Sequence, residues 1–179
     1  MQRLLYVVTH GISARHLLKG QLGWMREAGF DVAVAAAPGP ELEQAAEREG
    51  VAVFSVPMRR EIAPAADLRA LFGLWRLVRR WRPDVVNAST PKAGLLGMVA
   101  AWMARVPVRV YVVRGLRLET ANGGKRLLLA AMERLASACA HRVIAVSESL
   151  RRRCDELGLA PRSKLTVLSS GSSNGVDTA

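Results

Sequence analysis

Basic, hydroxyl-bearing and glycine residues recur directly after short apolar runs in this 179-residue chain. Arginine and lysine side chains bind phosphate oxygens, and backbone N–H groups at glycines and helix starts add further donors. These segments are THGIS (9–13), MRRE (58–61), STPK (89–92) and RGLRLE (114–119). They predict one anion-binding site that collects Arg59, Arg60, Lys92, Arg114 and Arg117. The alternative is that they are ordinary polar loops.

Several other chemistries lack the residues they need. No GxGxxG follows the first apolar run, which continues THGISARH, and the chain has no GxxxxGK[ST]. The three histidines, His10, His16 and His141, are scattered along the sequence, so no metal cluster is predicted. These absences argue against a dinucleotide dehydrogenase and a P-loop nucleotidase, and we expect no metal or other cofactor.

Seven short runs rich in Val, Ile and Leu are the elements that would position these segments. Such near-continuous apolar runs are typical of parallel strands that are buried on both faces. The predicted strands are Arg3–Val8, Asp31–Ala36, Val51–Val56, Asp84–Ala88, Val108–Val113, Arg142–Val146 and Lys164–Leu168.

Helical patterns alternate with these strands. The predicted helices are 14–28, 40–49, 65–81, 91–104, 125–140 and 148–157. The alternation predicts an α/β fold, a doubly wound and mainly parallel Rossmann-like sheet with helices on both faces. Ligands bind beyond the carboxyl ends of strands in such sheets, so the polar segments should meet at one edge.

Composition narrows the class of partner. The net charge of +11 suits nucleic acid, an anionic membrane or a phosphorylated ligand. We expect no nucleic acid, because the chain has no known nucleic-acid module and no aromatic stacking platform. No secretory signal is apparent, and the longest uncharged run, Ala93–Ala104, is shorter than the ~20 residues of a spanning helix. We therefore expect a cytoplasmic protein.

Five segments spread over nearly the whole chain form a recognisable set: PMRREIAPAADLRAL, RPDVVNASTPKAGLLGMVAA, VPVRVYVVRGLRLET, VIAVSESLRRRC and SSGSSNGVD. With them the chain resembles the N-terminal domain of family 4 retaining glycosyltransferases of the GT-B fold, in particular the bacterial capsule and lipopolysaccharide branch. By this resemblance, residues 1–168 form the N-terminal domain and residues 169–179 begin an interdomain linker. The resemblance also leads us to expect that a second, donor-binding domain is missing and that the chain alone is inactive.

The resemblance implies retaining transfer of a sugar from a nucleotide-sugar donor, without a required metal, to a lipid-linked or other glycan acceptor in cell-surface polysaccharide synthesis. Gly11 matches the first-loop glycine that lets the backbone approach the donor diphosphate, and we place Ser13 and Gly115 at the donor with it. Members often have a histidine before the glycine that follows the fifth strand, where this chain has Arg114. Because arginine stays charged, we predict that Arg114 stabilises charge in catalysis and is not a general base.

The acceptor is predicted from position in the chain. We expect Arg59, Arg60, Lys92 and Arg117 to contact it, close to the inner face of the membrane. The helix predicted over 65–81 supports a peripheral membrane contact, because a stripe of Arg69, Arg76 and Arg80 flanks a broad apolar side. The alternative for this helix is plain packing on the sheet.

Two alternative functions remain at this stage. One is a non-enzymatic basic module that binds nucleic acid or an acidic partner. The other is half of a sugar-nucleotide epimerase with the same two-domain architecture.

Overall fold

The structure, a computed structural model, describes residues 1–169 and residue 171. Seven strands form one sheet, and each of the six neighbouring pairs is parallel. The strands are Arg3–Val7 (β1), Asp31–Ala36 (β2), Ala52–Ser55 (β3), Val85–Ser89 (β4), Val108–Val113 (β5), Arg142–Ala145 (β6) and Leu165–Val167 (β7). Their order in space, β3-β2-β1-β4-β5-β6-β7, confirms the predicted doubly wound sheet.

Helices cover both faces of the sheet. They are Gly11–Leu17 (α1), Gln21–Glu27 (α2), Pro40–Glu49 (α3), Pro64–Trp81 (α4), Pro91–Met103 (α5), Gly123–Cys139 (α6) and Glu148–Glu156 (α7). A 3₁₀ helix at Arg117–Thr120 precedes α6. Among the described residues, no helix has the length and apolar character needed to cross a bilayer.

Two apolar cores lie on opposite faces of the sheet, and β1 contributes alternately to each of them. Leu4 and Tyr6, together with Val8 just after the strand, pack among residues of α1, α2 and α3, whereas Leu5 and Val7 pack on the side of α4 to α7. Alternation of side chains along a strand produces this division. The strand that begins the chain is therefore central and buried on both faces.

The single helix predicted over 14–28 is wrong, because the structure has two short helices there. The chain breaks at Gly20, where φ is 73°, a value that glycine adopts without strain. The buried carboxylate of Glu49 accepts hydrogen bonds from the backbone N–H groups of Gly20 and Gly23, at 2.9 and 3.0 Å. Burial raises the pKa of Glu49, but these donors and Arg48 outweigh it, so the pKa lies below its ordinary value. This carboxylate thus stabilises the start of α2.

Other helix boundaries have the residues typical of helix ends. Ser147 caps α7, because its hydroxyl accepts a hydrogen bond from the Leu150 N–H at 3.2 Å. Gly29 and Gly50 follow helices and have φ values of 93° and 65°, as expected for helix-terminating glycines. The linker predicted over 169–179 lies outside the described residues apart from Ser169 and Gly171.

Candidate functional site

The carboxyl ends of β1 and β4 lie side by side, although the helices that follow them pack on opposite faces of the sheet. Such a reversal creates a crevice in which α/β proteins bind ligands. The hydroxyls of Thr9 and Thr90, one after each strand, form a hydrogen bond of 2.7 Å across the crevice. The two polar segments at 9–13 and 89–92 are thereby held together.

Thr90 adopts an unusual backbone conformation in this crevice. It stands immediately before α5, where threonine often caps a helix, but its side chain makes no capping hydrogen bond. Its φ is 74°, which costs a non-glycine residue roughly 1–3 kcal/mol and is most often found at functional sites. The bond to Thr9 and the hydrogen bond from Gly94 N–H to the Thr90 carbonyl, at 2.7 Å, hold it there.

The packing of α1 against α3 requires glycine at position 11. A Cβ at Gly11 would lie 2.5 Å from the backbone nitrogen of Leu42, so only glycine lets α1 meet the start of α3 this closely. Gly11 is buried, whereas Ser13 is partly exposed in the first turn of α1. Of these two residues that were predicted to contact the donor, only Ser13 is therefore open to a ligand.

Lys92 is a buried cation that organises the loop after β3. Its ammonium forms an ion pair of 2.6 Å with Asp67 of α4 and also donates to the carbonyl of Glu61. The contacts join the first turns of α4 and α5 to the loop. Lys92 thus lies at the carboxyl edge as predicted, with its ammonium engaged by the protein itself.

Arg60 and Arg117 come together at the same edge. The guanidinium of Arg117 donates to the backbone carbonyl of Arg60 at 3.2 Å, and both side chains are exposed. This bond connects the loop after β3 with the 3₁₀ helix after β5. The structure therefore brings Arg60, Lys92 and Arg117, three of the five cations of the predicted anion site, to adjoining segments.

Arg59 also borders a groove beside α4. It lines an open groove of about 1000 Å³ between β3 and α4, next to residues that follow β2. Arg59 thus adjoins Arg60 in the loop after β3 and also forms part of this groove.

Arg114 lines a cavity of about 290 Å³ on the α2 side of the sheet, with Tyr6, Gln21, Trp24 and Asn87 among the residues around it. Burial lowers the pKa of Arg114, and the neighbouring Tyr6 opposes that change. Burial also raises the pKa of Tyr6 to about 12, against the effect of the Arg114 charge. At neutral pH this pair is a charged guanidinium beside a neutral phenol.

The surroundings of Arg114 leave room for a ligand. The next residue, Gly115, is exposed, and a Cβ there would meet no atom within 4 Å. Its φ is not positive, so the turn itself does not require glycine. Glu119 pairs with Arg153 at 2.9 Å and Glu148 pairs with Arg151 at 2.6 Å.

Sequence reasoning missed Tyr6, Gln21 and Asn87 as neighbours of Arg114. Tyr6 and Asn87 are direct cross-strand partners in β1 and β4, and both interrupt apolar runs with a polar group. That interruption was the available signal. The strand order that makes them neighbours was not apparent from the sequence.

Comparison with known proteins identifies the family of the chain. Residues 14–171 match the family model described as a glycosyl transferase 4-like domain. The chain belongs to this glycosyltransferase family. The match spans the first turn of α1 to the end of the described residues and so contains every predicted site residue except Gly11 and Ser13.

Two curated relatives are glycosyltransferases. The chain is 41% identical over 175 residues to the capsular polysaccharide biosynthesis glycosyltransferase CapM of Staphylococcus aureus, which covers 98% of this chain and 45% of the relative. It is 31% identical over 126 residues to the UDP-Gal:α-D-GlcNAc-diphosphoundecaprenol α-1,3-galactosyltransferase of Escherichia coli, covering 69% of this chain and 32% of the relative. The chain thus spans less than half the length of either protein.

Solved structures share the fold. The crystal structure of Anabaena HepE in complex with UDP and glucose has a TM-score of 0.73 at 18% identity, covering 96% of this chain and 45% of that one. A UDP-N-acetylglucosamine 2-epimerase has a TM-score of 0.71 at 17% identity, covering 94% and 48%. At such identities the likeness shows the fold alone, which is the Rossmann-like half of a GT-B architecture.

Proposed function

We propose that this chain is the N-terminal, acceptor-side half of a retaining glycosyltransferase. It would help to move a sugar from a nucleotide-sugar donor to a lipid-linked glycan acceptor in cell-surface polysaccharide synthesis. The observation that carries the proposal is the 41% identity with CapM along 98% of the chain. The E. coli relative is named for a diphosphoundecaprenol-linked acceptor, which supports an acceptor of this class.

Arg114 is the group proposed to act in catalysis. As the donor bond breaks, negative charge develops on the oxygens of the departing nucleoside diphosphate. A guanidinium held at the carboxyl end of β5 stabilises that charge without having to reorganise, and its partial burial strengthens the interaction. Asn87 lines the same cavity and can donate a hydrogen bond to a sugar hydroxyl or a phosphate oxygen.

Donor contact is assigned to Ser13 in the first turn of α1 and to the backbone of Gly115 after β5, both of which are accessible. Gly11 acts indirectly, since it allows α1 to sit against α3 and so positions Ser13. The acceptor is assigned to Arg59, Arg60 and Arg117. Lys92 would serve the acceptor by holding the loop that carries Arg60.

Membrane contact is proposed for α4, at the cytoplasmic face. Leu68 and Phe72 on this helix are 67% and 59% exposed, although both are large and apolar. Arg79 is also exposed, with its guanidinium 5.7 Å from the centre of the Trp75 ring. Basic helices that expose aromatic and aliphatic side chains lie at membrane interfaces, where a lipid-linked acceptor is found.

The test is transfer by a chimera that joins this chain to the C-terminal half of the S. aureus relative. With nucleotide sugars and lipid-diphosphate acceptors, we expect the chimera to transfer sugar over many turnovers with retention of the anomeric configuration. Residues 1–179 alone should not turn over. A folded chimera that transfers no sugar, or robust turnover by the chain alone, would contradict the proposal.

The same assay separates the two alternatives. An epimerase half would convert a free nucleotide sugar in the absence of an acceptor. A basic binding module would bind nucleic acid or acidic protein with strong salt dependence and would show no preference for nucleotide sugars.

A further inference from the structure

The groove between β3 and α4 has an apolar floor and a basic rim. Its volume of about 1000 Å³ is bounded by the edge strand on one side and by one face of the helix on the other. The floor includes Phe54, Val56 and Leu77, and Gly73 in the middle of α4 keeps it open. The residues of α4 that line it recur every three or four positions, so the groove follows the helix axis.

Four arginines line this groove: Arg59, Arg69, Arg76 and Arg80. Within residues 1–169 and 171, none of these guanidinium groups forms a hydrogen bond or an ion pair with another residue. The lining includes no acidic residue from that part of the chain. The groove therefore has unneutralised positive charge above an apolar surface, which is complementary to an anionic amphiphile.

The arginines fall into two groups along the helix. Arg76 and Arg80 are one helical turn apart, so their guanidinium groups can share one phosphate. Arg69 lies toward the start of α4, roughly 16 Å from Arg80 along the helix at 1.5 Å per residue, and Arg59 lies in the loop that precedes the helix. The Arg76 and Arg80 end is remote from the carboxyl edge where donor and acceptor would meet, so its ligand is distinct from the acceptor.

The groove also adjoins the exposed apolar surface of α4. On the helix surface, Phe72 and Leu68 follow directly after the stripe of Arg69 and Arg76, and both are exposed. A lipid could therefore enter the groove from a bilayer that contacts this surface. An acidic peptide would not need an exposed apolar surface beside the groove. The presence of that surface therefore favours a lipid as the occupant.

We propose that the groove binds one anionic phospholipid of the bilayer, with its phosphate between Arg76 and Arg80 and its acyl chains over Phe54, Val56 and Leu77. This site deepens the membrane contact proposed for α4 and rests on it. It means that one lipid molecule binds each chain, in addition to the nonspecific electrostatic attraction between α4 and an anionic bilayer.

The test uses the 179-residue chain and dihexanoyl phosphatidylglycerol below its micelle concentration, with binding measured by calorimetry. The key variant is Gly73→Leu, which keeps every charge but fills the floor. A Cβ at this position lies 3.5 Å from the nearest atom, Cγ1 of Val56, which is ordinary contact. Gly73→Ala is the matched control, because it adds only that Cβ and favours the helix.

We expect one lipid per chain, and Gly73→Leu should weaken its binding by about tenfold, the effect of displacing two methylene groups. Gly73→Ala should change the affinity by less than about threefold, since it leaves most of the floor open. Replacing Arg76 and Arg80 together by glutamine should weaken binding by about 30-fold, taking roughly 1 kcal/mol per basic residue. The same replacement at Lys125 and Arg126, which are exposed on α6, should have little effect.

Several outcomes would overturn the groove site. The first is that the chain does not bind monomeric phosphatidylglycerol, or binds dihexanoyl phosphatidylcholine or inorganic phosphate as tightly as phosphatidylglycerol. The second is that the α4 and α6 double variants weaken phosphatidylglycerol binding equally. The third is that folded Gly73→Leu binds the lipid with unchanged affinity. Displacement of the lipid by an acidic helical peptide of higher affinity would also overturn it in favour of a protein partner. Binding to anionic vesicles is measured in parallel, so that membrane contact without a groove site is recognised. If Gly73→Leu does not fold, the arginine variants decide the question.

Discussion

Glu133 should make the stability of this domain depend on pH. Its carboxylate lies in the core at 6% exposure and accepts a hydrogen bond of 2.6 Å from the hydroxyl of Tyr111. Burial raises the pKa of Glu133 from 4.5 to about 7, although the Tyr111 hydrogen bond opposes the rise. The folded protein therefore holds this proton over a pH range in which the unfolded chain releases it.

The sign and size follow from linkage. Between pH 4.5 and 7 the folded state binds more protons than the unfolded state, so the free energy of unfolding falls as pH rises. At about 1.4 kcal/mol per pH unit, the loss amounts to about 3 kcal/mol and is complete above pH 7. Glu133→Gln removes the ionisation and keeps an oxygen that can accept from Tyr111. It should match the wild type near pH 4.5 and exceed it by up to about 3 kcal/mol at pH 8.

The assay is urea unfolding of both proteins from pH 4.5 to 8, with Glu47→Gln, at an exposed position of α3, as a control for the change in net charge. Other groups titrate equally in the wild type and the variant, so the difference between the two isolates Glu133. A difference that does not vary with pH, or a glutamine variant that is less stable at pH 8, would refute the reasoning.

Three further predictions concern the site. Arg114→Ala in the chimera should lower kcat/KM by roughly 10²–10³ with little change in Tm, and Arg114→Lys should recover only part of the loss; steady-state kinetics and melting curves check this, and activity that falls only with Tm would argue against it. Gly11→Ala should cost roughly 1–3 kcal/mol in urea unfolding through its clash with α3, whereas an unchanged midpoint would mean that the helices separate freely. Lys92→Met should destabilise the domain by roughly 3 kcal/mol because it leaves the Asp67 carboxylate without its cation. Adding Asp67→Asn, which removes the charge and keeps an acceptor for the Ala63 N–H, should restore much of that loss; equal costs for the single and double variants would show that the uncompensated charge is not the cause.

Much of the fold could be predicted from local pattern. The bounds predicted for β2, α3 and β5 are those observed, because each begins or ends at a change between apolar runs and residues such as Gly39, Gly50 or Pro107. The break between α1 and α2 could not be predicted. It depends on the carboxylate of Glu49, which lies far along the chain and becomes a neighbour only in the folded protein.

Part of the candidate site could also be predicted from local pattern. Residues that follow strands lie at the carboxyl edge, so the positions of Arg60, Lys92 and Arg117 followed from topology. The internal pairing of Lys92 and the packing role of Gly11 depend on contacts between helices that local sequence does not encode. The donor and acceptor assignments of these residues stay predictions.

The central position of β1 has a consequence for how the chain assembles during synthesis. The backbone N–H of Arg3 donates to the carboxylate of Asp84, 81 residues later in the sequence. At roughly 5–20 residues per second, the ribosome needs roughly 4–16 s to make the intervening chain. During that interval β1 can pair with β2 but leaves its other edge open beside an apolar surface. A chaperone that shields this edge, or a slow codon run placed after β4 and not before it, should therefore determine how much nascent protein escapes aggregation.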